Sequence, residues 1–232
     1  MAEDRARSSA AAAFPVPPLV TIDRAGLPFI LIAAAPAVVA AVWGPVWLAL
    51  VLLLLPLAIA LFFRDPERAI TAEDNAVLAP ADGKVMHAGP ARPGEAPPGT
   101  WQQITIFLSV LDVHINRTPV AGVVKRVEYI PGKFLPAYRH DAHQNERSEI
   151  WIDHKGVPVV VRQVVGLLAR RVVCRLTPGQ VLAPGARIGL MKFGSRMDVF
   201  VPGDADVLAT AGATVTAGVT VIARLRAPEA AR

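Results

Sequence analysis

The chain has 232 residues, of which 53% are hydrophobic, and its 24 Lys and Arg residues against 19 Asp and Glu residues give a net charge of +5. The high apolar content excludes an intrinsically disordered chain, and the single cysteine, Cys174, excludes a disulfide scaffold. The length allows one domain, or one domain with an appendage. The basic residues form no clustered stripe of the kind that nucleic acids require, so we expect no nucleic-acid partner.

The N-terminal segment is rich in Ala, Ser and Pro over its first 20 residues. We therefore predict a disordered tail over residues 1–24. Arg5 and Arg7 allow a signal peptide as an alternative, but the apolar stretch that follows is too long and starts too late for one.

Residues 25–63 contain no charged side chain. One membrane span needs about 20 apolar residues, so this stretch is nearly two spans long. A turn signal with flanking aromatics, Trp43-Gly44-Pro45-Val46-Trp47, divides it into 26–43 and 46–63. The pattern predicts a helical hairpin that anchors the chain at the cytoplasmic face of the cell membrane, whether it spans the bilayer or enters one leaflet. The alternative is a buried helix pair in a soluble core.

Residues 64–232 have the sequence pattern of a separate β-rich domain. Short runs of β-branched residues alternate with Gly and Pro turns, at 104–108, 158–161, 171–176, 197–201 and 220–225. Such spacing is typical of an antiparallel sandwich or barrel. We thus predict a mainly β fold, sandwich- or barrel-like, preceded by the helical hairpin. Segment 111–148 is predicted to be rich in loops and to carry site residues.

Common cofactor motifs are missing from the sequence. It has no HExxH, no P-loop, no GxGxxG and no GxSxG. His140 and His143 are spaced so that they could lie near each other, but no third ligand stands at a matching distance, so we expect no metal.

A Gly-Ser pair lies between two apolar, strand-like stretches instead of in a polar loop. Gly194 can accept a strained backbone and leaves its own carbonyl unshielded. The hydroxyl of Ser195 can attack that carbonyl if a base takes its proton. The peptide would then become an ester, which can eliminate.

The sequence resembles the short bacterial type of phosphatidylserine decarboxylase proenzyme. The resemblance runs from about residue 62 to 200 and is carried by six motifs in order, namely Phe62-Phe63-Arg64-Asp65-Pro66, Pro80-Ala81-Asp82-Gly83, Phe107-Leu108-Ser109-x-x-Asp112-Val113-His114, Asn145-Glu146-Arg147, Val165-Gly166 and Phe193-Gly194-Ser195-Arg196.

The resemblance implies a chain that cuts itself between Gly194 and Ser195. Residues 1–194 and 195–232 would be the large and small subunits of a heterodimer, with a higher homo-oligomer left open. Ser195 would become a pyruvoyl group, the only cofactor, which forms a Schiff base with phosphatidylserine and accepts the electrons that carbon dioxide leaves behind. Phosphatidylethanolamine is the implied product. Neither a metal nor pyridoxal phosphate is implied, and the implied partners are the phospholipid and the membrane.

The resemblance also implies helper residues. Asp82 matches an aspartate that supports self-cleavage by orienting a histidine, with a plain Asp-Gly turn as the alternative. His114 matches the first histidine of a paired motif and is implied to act on substrate. The second histidine of that motif is replaced by Arg117, which cannot be a general base. Either His114 does both jobs, or His140 or His143 substitutes.

Three arginines are candidates for binding the phosphate or carboxylate of the substrate, because guanidinium pairs bidentately with both groups. They are Arg117, Arg147 and Arg196. Two alternative functions lie outside the resemblance. One is a biotinyl- or lipoyl-type carrier modified at Lys192, and the other is a membrane-anchored β-domain without chemistry.

Overall fold

The computed structural model describes residues 20–70, 73–167, 172–192 and 194–226. The helices are α1 (Leu27–Trp43) and α2 (Val46–Phe62), with short 3-10 helices at Arg24–Gly26 and His140–Gln144. The strands are β1 (Val20–Ile22), β2 (Arg64–Pro66), β3 (Ala76–Leu78), β4 (Gly83–Pro90), β5 (Trp101–Leu108), β6 (Ile115–Arg117), β7 (Gly122–Ile130), β8 (Arg147–His154), β9 (Val157–Val164), β10 (Val173–Cys174), β11 (Val181–Leu182), β12 (Arg187–Leu190), β13 (Ser195–Pro202), β14 (Asp206–Val207), β15 (Thr214–Val215) and β16 (Val221–Arg224).

Helices α1 and α2 form the predicted hairpin, with the turn at Gly44 and Pro45. Most of their large apolar side chains are exposed, up to 81% for Trp43. The alternative of a buried core pair is therefore wrong, because the β domain does not cover these helices. The stretch Arg24–Trp43 has a mean hydropathy of 2.3 and is long and apolar enough to cross a membrane, whereas α2 is shorter.

The two ends of the hairpin are tied to each other and to the β domain. Strand β1 pairs with β2, with Thr21 opposite Asp65. The carboxylate of Asp23 accepts hydrogen bonds from both Nη atoms of Arg175, at 2.6 and 2.8 Å. The predicted disordered tail is thus wrong for residues 20–24, because backbone pairing and a buried carboxylate hold them. The rest of that prediction, residues 1–19, lies outside the described residues.

The main sheet has eight strands in the order β11-β7-β8-β9-β13-β5-β4-β15, and all of its pairings are antiparallel. It curls into a half-barrel, and two three-stranded sheets, β10-β12-β6 and β14-β16-β3, complete the domain. Met197, Val199 and Val201 of β13 point into the core on the inner face of the curl. The predicted mainly β fold with an N-terminal hairpin is confirmed.

The predicted loop-rich segment 111–148 is only partly correct. It contains β6 and the nine residues of β7, Gly122–Ile130. Strand β7 escaped prediction because most of its side chains are partly or fully exposed, so it lacks the apolar run of a buried strand. In the predicted run 171–176 the strand covers Val173–Cys174, and Arg171 lies outside the described residues.

Candidate active site

Gly194 and Ser195 lie where β13 begins. Gly194 has a φ of +67°, in the left-handed region that glycine adopts without steric cost. Ser195 is fully buried, and its Oγ donates a hydrogen bond to the carbonyl of Lys192 at 3.2 Å. The preceding Phe193 lies outside the described residues. The buried hydroxyl therefore directly follows the glycine whose carbonyl it would attack, and that glycine is partly exposed.

His114 is also fully buried, and its two ring nitrogens differ. Its Nδ1 lies 2.9 Å from the carbonyl oxygen of Asp112, and because a carbonyl only accepts, Nδ1 carries the proton. Its Nε2 has no hydrogen-bond partner among the described residues. Burial lowers the pKa of His114 to about 4, against opposing effects of Asp112. The ring is thus neutral at pH 7, with an unused acceptor atom.

His114 and Ser195 both form hydrogen bonds with the segment Met191–Lys192. The carbonyl of His114 accepts the N–H of Met191, and the next residue, Lys192, accepts the hydroxyl of Ser195. Asn116, two residues after His114, accepts a hydrogen bond at 2.7 Å from Gln163 Nε2, whose residue pairs with Met197. The β6 region therefore faces the inner side of β13, the side of Ser195.

The hairpin covers this site at its base. The Phe62 ring of α2 lies 4.1 Å from the His114 ring, measured between centroids. Beside it is a cavity of about 540 Å³, lined by Ala58, Ile59, Leu61, Phe62, Phe63, Arg64, Val110 and Leu111. Arg64 donates hydrogen bonds to the carbonyls of Leu61 and Leu111, at 2.8 and 2.6 Å, and takes part in no ion pair among the described residues. Arg64 belongs to one of the six motifs of the resemblance, but its place beside this cavity was not predicted from the sequence.

Asp82 does not contact a histidine in the described structure. One carboxylate oxygen pairs with Arg68 at 2.8 Å, and the other accepts the N–H of Ala217 at 2.7 Å. Burial dominates the pKa of His114, and Asp82 opposes it only through its charge. The described structure thus bonds both oxygens of Asp82 to groups other than a histidine, and its role in self-cleavage stays a prediction.

Two of the three arginines that were predicted to bind substrate lie on the face of the sheet opposite Ser195. Side chains alternate along a strand, so Arg196 points away from the face that Ser195 shares with Met197. Its guanidinium donates to Asp198 at 2.8 Å and to Glu95 at 2.6 Å. Although burial opposes its charge, these carboxylates raise the pKa of Arg196. The structure places Arg196 in a buried ionic network on the face opposite Ser195, and a role in binding substrate stays a prediction.

Arg147 lies in the same cross-strand row as Arg196. It pairs with Val164, which pairs in turn with Arg196, so the three side chains share the outer face. Its Nη1 donates to the carbonyl of His143 at 2.9 Å. The structure therefore does not bring Arg147 to the Ser195 side.

Arg117 has a structural role that accounts for its charge. It is 4% exposed and donates to Asp65 at 3.4 Å and to the carbonyls of Gly185 and Pro66, both at 3.1 Å. These contacts tie β6 to the base of the hairpin. These acceptors enclose the guanidinium of Arg117, and a role in binding substrate stays a prediction.

The remaining histidine candidates lie on the outer-face side of the sheet, opposite Ser195. His143 lies 3.8 Å from Glu95, in the ionic network of the outer face, and His140 lies in the same 3-10 helix. Within the described ranges, no three His, Cys, Asp or Glu side chains are grouped to hold a metal ion. Among the candidates for a base, the geometry favours His114.

A family model for phosphatidylserine decarboxylase matches residues 55–223, from within α2 to within β16. The chain belongs to the phosphatidylserine decarboxylase family. Three relatives are each named phosphatidylserine decarboxylase proenzyme. The protein of Symbiobacterium thermophilum is 45% identical over 208 residues, which are 88% of this chain and 95% of the relative. That of Geobacter metallireducens is 43% identical over 210 residues (86% and 94%), and that of Magnetococcus marinus 43% over 170 residues (72% and 78%).

Membership in the phosphatidylserine decarboxylase family confirms the resemblance and the prediction of a decarboxylase. It sets aside the carrier and the β-domain without chemistry. Lys192, the carrier's site, lies with its Nζ 4.6 Å from the centroid of the Phe29 ring of α1. It is thus held against the hairpin and not presented on a free turn.

Proposed function

We propose that this chain cuts itself between Gly194 and Ser195, and that a pyruvoyl group made from Ser195 then decarboxylates phosphatidylserine to phosphatidylethanolamine and carbon dioxide. The observation that carries the proposal is the fully buried hydroxyl of Ser195, directly after a left-handed glycine, in a chain of this family. The relatives are named proenzymes, which supports a processing step.

The cleavage chemistry balances with water as the only co-reactant. Ser195 Oγ loses its proton and attacks the Gly194 carbonyl carbon, and the peptide nitrogen leaves with a proton as a free amine, so an ester forms. Loss of the Ser195 Cα proton then breaks the Cβ–Oγ bond, and Gly194 departs as a carboxylate. The resulting enamine becomes an imine, and water hydrolyses it to the ketone and ammonia.

We assign the base for the attack to His114. A general base must be neutral and must offer a lone pair. The lowered pKa keeps the ring neutral, and the proton on Nδ1 leaves Nε2 free to accept. Burial next to an unused acceptor is typical of functional groups, because such an atom costs stability that only a function compensates.

The residues around Ser195 suit a pyruvoyl group. Such a group supplies an electrophilic ketone that condenses with the substrate's amine and takes up the electron pair released with carbon dioxide. Ser195 is 0% exposed at the inner face, so the ketone would be shielded from water. His114 is the nearby group that could hold a proton for the product.

The fold supports stable association of the two proposed subunits. Residues 195–232 begin with β13, which lies in the middle of the main sheet between β9 and β5. Its hydrogen bonds to both neighbours, and the bonds of Arg196 and Asp198 to the large subunit's Glu95 and Thr105, persist after the cut.

The hairpin and the adjoining cavity fit a membrane-embedded lipid substrate. We propose that the exposed apolar side chains of α1 and α2 enter the cytoplasmic leaflet of the cell membrane. Arg24, Arg64 and Arg68 then lie on one side, as the positive-inside rule prefers, since β1 and β2 bring both flanks together. The apolar cavity suits an acyl chain, and Arg64, which has no carboxylate partner among the described residues, suits the phosphate.

The test compares two buried strand serines. Purified wild-type protein and the Ser195→Ala and Ser148→Ala variants are run on a denaturing gel and assayed with phosphatidylserine vesicles. Ser148 is also buried, in β8, and serves as the matched control. We expect two polypeptides and carbon dioxide release from wild type and Ser148→Ala, and a whole, inactive chain from Ser195→Ala. A wild-type chain that stays whole, or turnover by Ser195→Ala, overturns the proposal.

A further inference from the structure

The carbonyl of Gly194 is packed against another glycine. A Cβ atom added to Gly166 would lie 1.8 Å from the Gly194 carbonyl oxygen and 3.0 Å from its carbon. The φ of Gly166 is not in the left-handed region, so the backbone conformation does not demand glycine there. Gly166 is needed for space, and the space is filled by the carbonyl that the proposed cleavage attacks.

Gly166 is itself held in place by its neighbour in the chain. The N–H of Val165 donates to the carbonyl of Glu146 at 3.0 Å, and the carbonyl of Val165 accepts from Asn145 Nδ2 at 2.8 Å. The backbone leading into Gly166 is thus fixed on both of its polar groups.

Asn145 acts as the clamp behind this arrangement. It is 0% exposed, and besides Val165 it bonds the backbone of Leu135 twice, donating to its carbonyl at 2.7 Å and accepting its N–H at 2.9 Å. Both donor positions and the acceptor oxygen of the amide are therefore used. One side chain joins the loop at residue 135 to the end of β9, and so to Gly166.

We propose that Gly166, clamped through Val165 by Asn145, is a positioning site for the scissile Gly194 carbonyl. This inference rests on the proposed self-cleavage. Attack by a neighbouring hydroxyl requires the carbonyl at a fixed distance and angle, and a displacement of about 1 Å costs on the order of 10²-fold in rate. A methyl group at residue 166 needs a displacement of that size, because the carbonyl oxygen occupies its place.

The test measures the rate of cleavage in newly made full-length protein. Proenzyme from cell-free synthesis is followed on denaturing gels over time, as wild type, Gly166→Ala and Gly122→Ala. Gly122 is the matched control, because a Cβ there would lie 2.3 Å from the carbonyl oxygen of Asp153 and its φ of +154° adds strain. Asp153 lies six residues along β8 from Arg147, about 20 Å from the Ser195 end of the sheet.

We expect Gly166→Ala to be cut roughly 10²-fold more slowly than wild type, and Gly122→Ala to stay within about twofold. Neutral hydroxylamine, which cleaves esters but not peptides, should release no additional fragment from Gly166→Ala, because slow attack prevents the ester from accumulating. If both variants are slowed equally, the contact between Gly166 and the Gly194 carbonyl contributes only to packing, and the inference is overturned. Cleavage of Gly166→Ala at the wild-type rate also overturns it. A wild-type chain that stays whole overturns the proposed function instead.

A second variant tests the same positioning without adding an atom. It is used if Gly166→Ala shows no cooperative unfolding transition and is therefore not folded. Asn145→Asp keeps the shape but loses the amide donors, and we expect cleavage about tenfold slower than wild type. Cleavage of folded Asn145→Asp at the wild-type rate contradicts the role of the clamp.

Discussion

Both faces of β13 are buried, and each begins with a polar residue, but the two faces differ in how completely their polar groups are hydrogen-bonded. On the outer face, Arg196 bonds Asp198 and Glu95 at 2.8 and 2.6 Å, so its charge is fully matched. On the inner face, Ser195 makes one long hydrogen bond of 3.2 Å, and the Nε2 of His114 has no partner in the described chain. Within one residue the strand thus separates a paired guanidinium from a site with an unpaired acceptor, while Arg147 Nε on the outer face also has no partner among the described residues.

This difference indicates which face performs chemistry. Buried polar groups are normally paired, and a buried pair that is complete has no capacity left to act on a substrate. A buried acceptor without a partner costs stability and is kept where a reaction uses it. Variants on the inner face should therefore change rates, and variants on the outer face should change stability.

The largest effect is expected at His114. In His114→Ala we expect both self-cleavage and carbon dioxide release to fall at least about 10²-fold, because a general base contributes that much or more. The control is His143→Ala on the outer face, which should stay within about twofold of wild type. Gel and turnover assays measure both, and full turnover by His114→Ala protein that has been cut removes His114 from the mechanism.

The outer face is tested through Asp198, which accepts hydrogen bonds from Arg196 and Thr105. Asp198→Ala leaves a buried guanidinium short of a carboxylate, and the free energy of unfolding should fall by about 3–5 kcal/mol. Urea denaturation measures it in a Ser195→Ala background, which keeps the chain whole.

The matched control for Asp198 is Asp206→Ala. It removes the exposed pair with Arg226 and should cost less than about 1 kcal/mol. If the two variants lose equal stability, the outer network is not the stabilising element that its geometry indicates.

The last prediction concerns pH. Burial lowers the pKa of His114 from 6.5 to about 4, so between those values the unfolded chain binds a proton that the folded chain does not. Stability should therefore fall as the pH drops from 6.5 to 4, by about 3 kcal/mol over the window. In Ser195→Ala/His114→Gln this component should vanish, and an unchanged pH profile of the unfolding free energy contradicts the buried neutral ring.

Local patterns were enough to predict the parts of the molecule that depend on neighbours in sequence. The uncharged stretch 25–63 indicated the hairpin, and β-branched runs indicated strands such as β5, β9 and β13. The Gly194-Ser195 pair could be singled out because its chemistry needs only two adjacent residues.

The roles of the arginines could not be predicted in the same way, because each depends on a distant partner. Arg117 pairs with Asp65, 52 residues away, and Arg196 with Glu95, 101 residues away. One usable signal was overlooked, since strand alternation alone places Arg196 on the face opposite Ser195. Gly166 belongs to one of the six motifs of the resemblance, but its close approach to Gly194 could not be predicted, because only the fold brings the two backbones together.

The central claim is that the backbone ends at Gly194 and restarts at a modified Ser195, and intact mass spectrometry of the purified protein tests it most directly. The account predicts two polypeptides that meet between residues 194 and 195, the smaller lighter by one ammonia than the unmodified fragment 195–232. A single full-length mass, or a small fragment that begins with an ordinary serine, would contradict it.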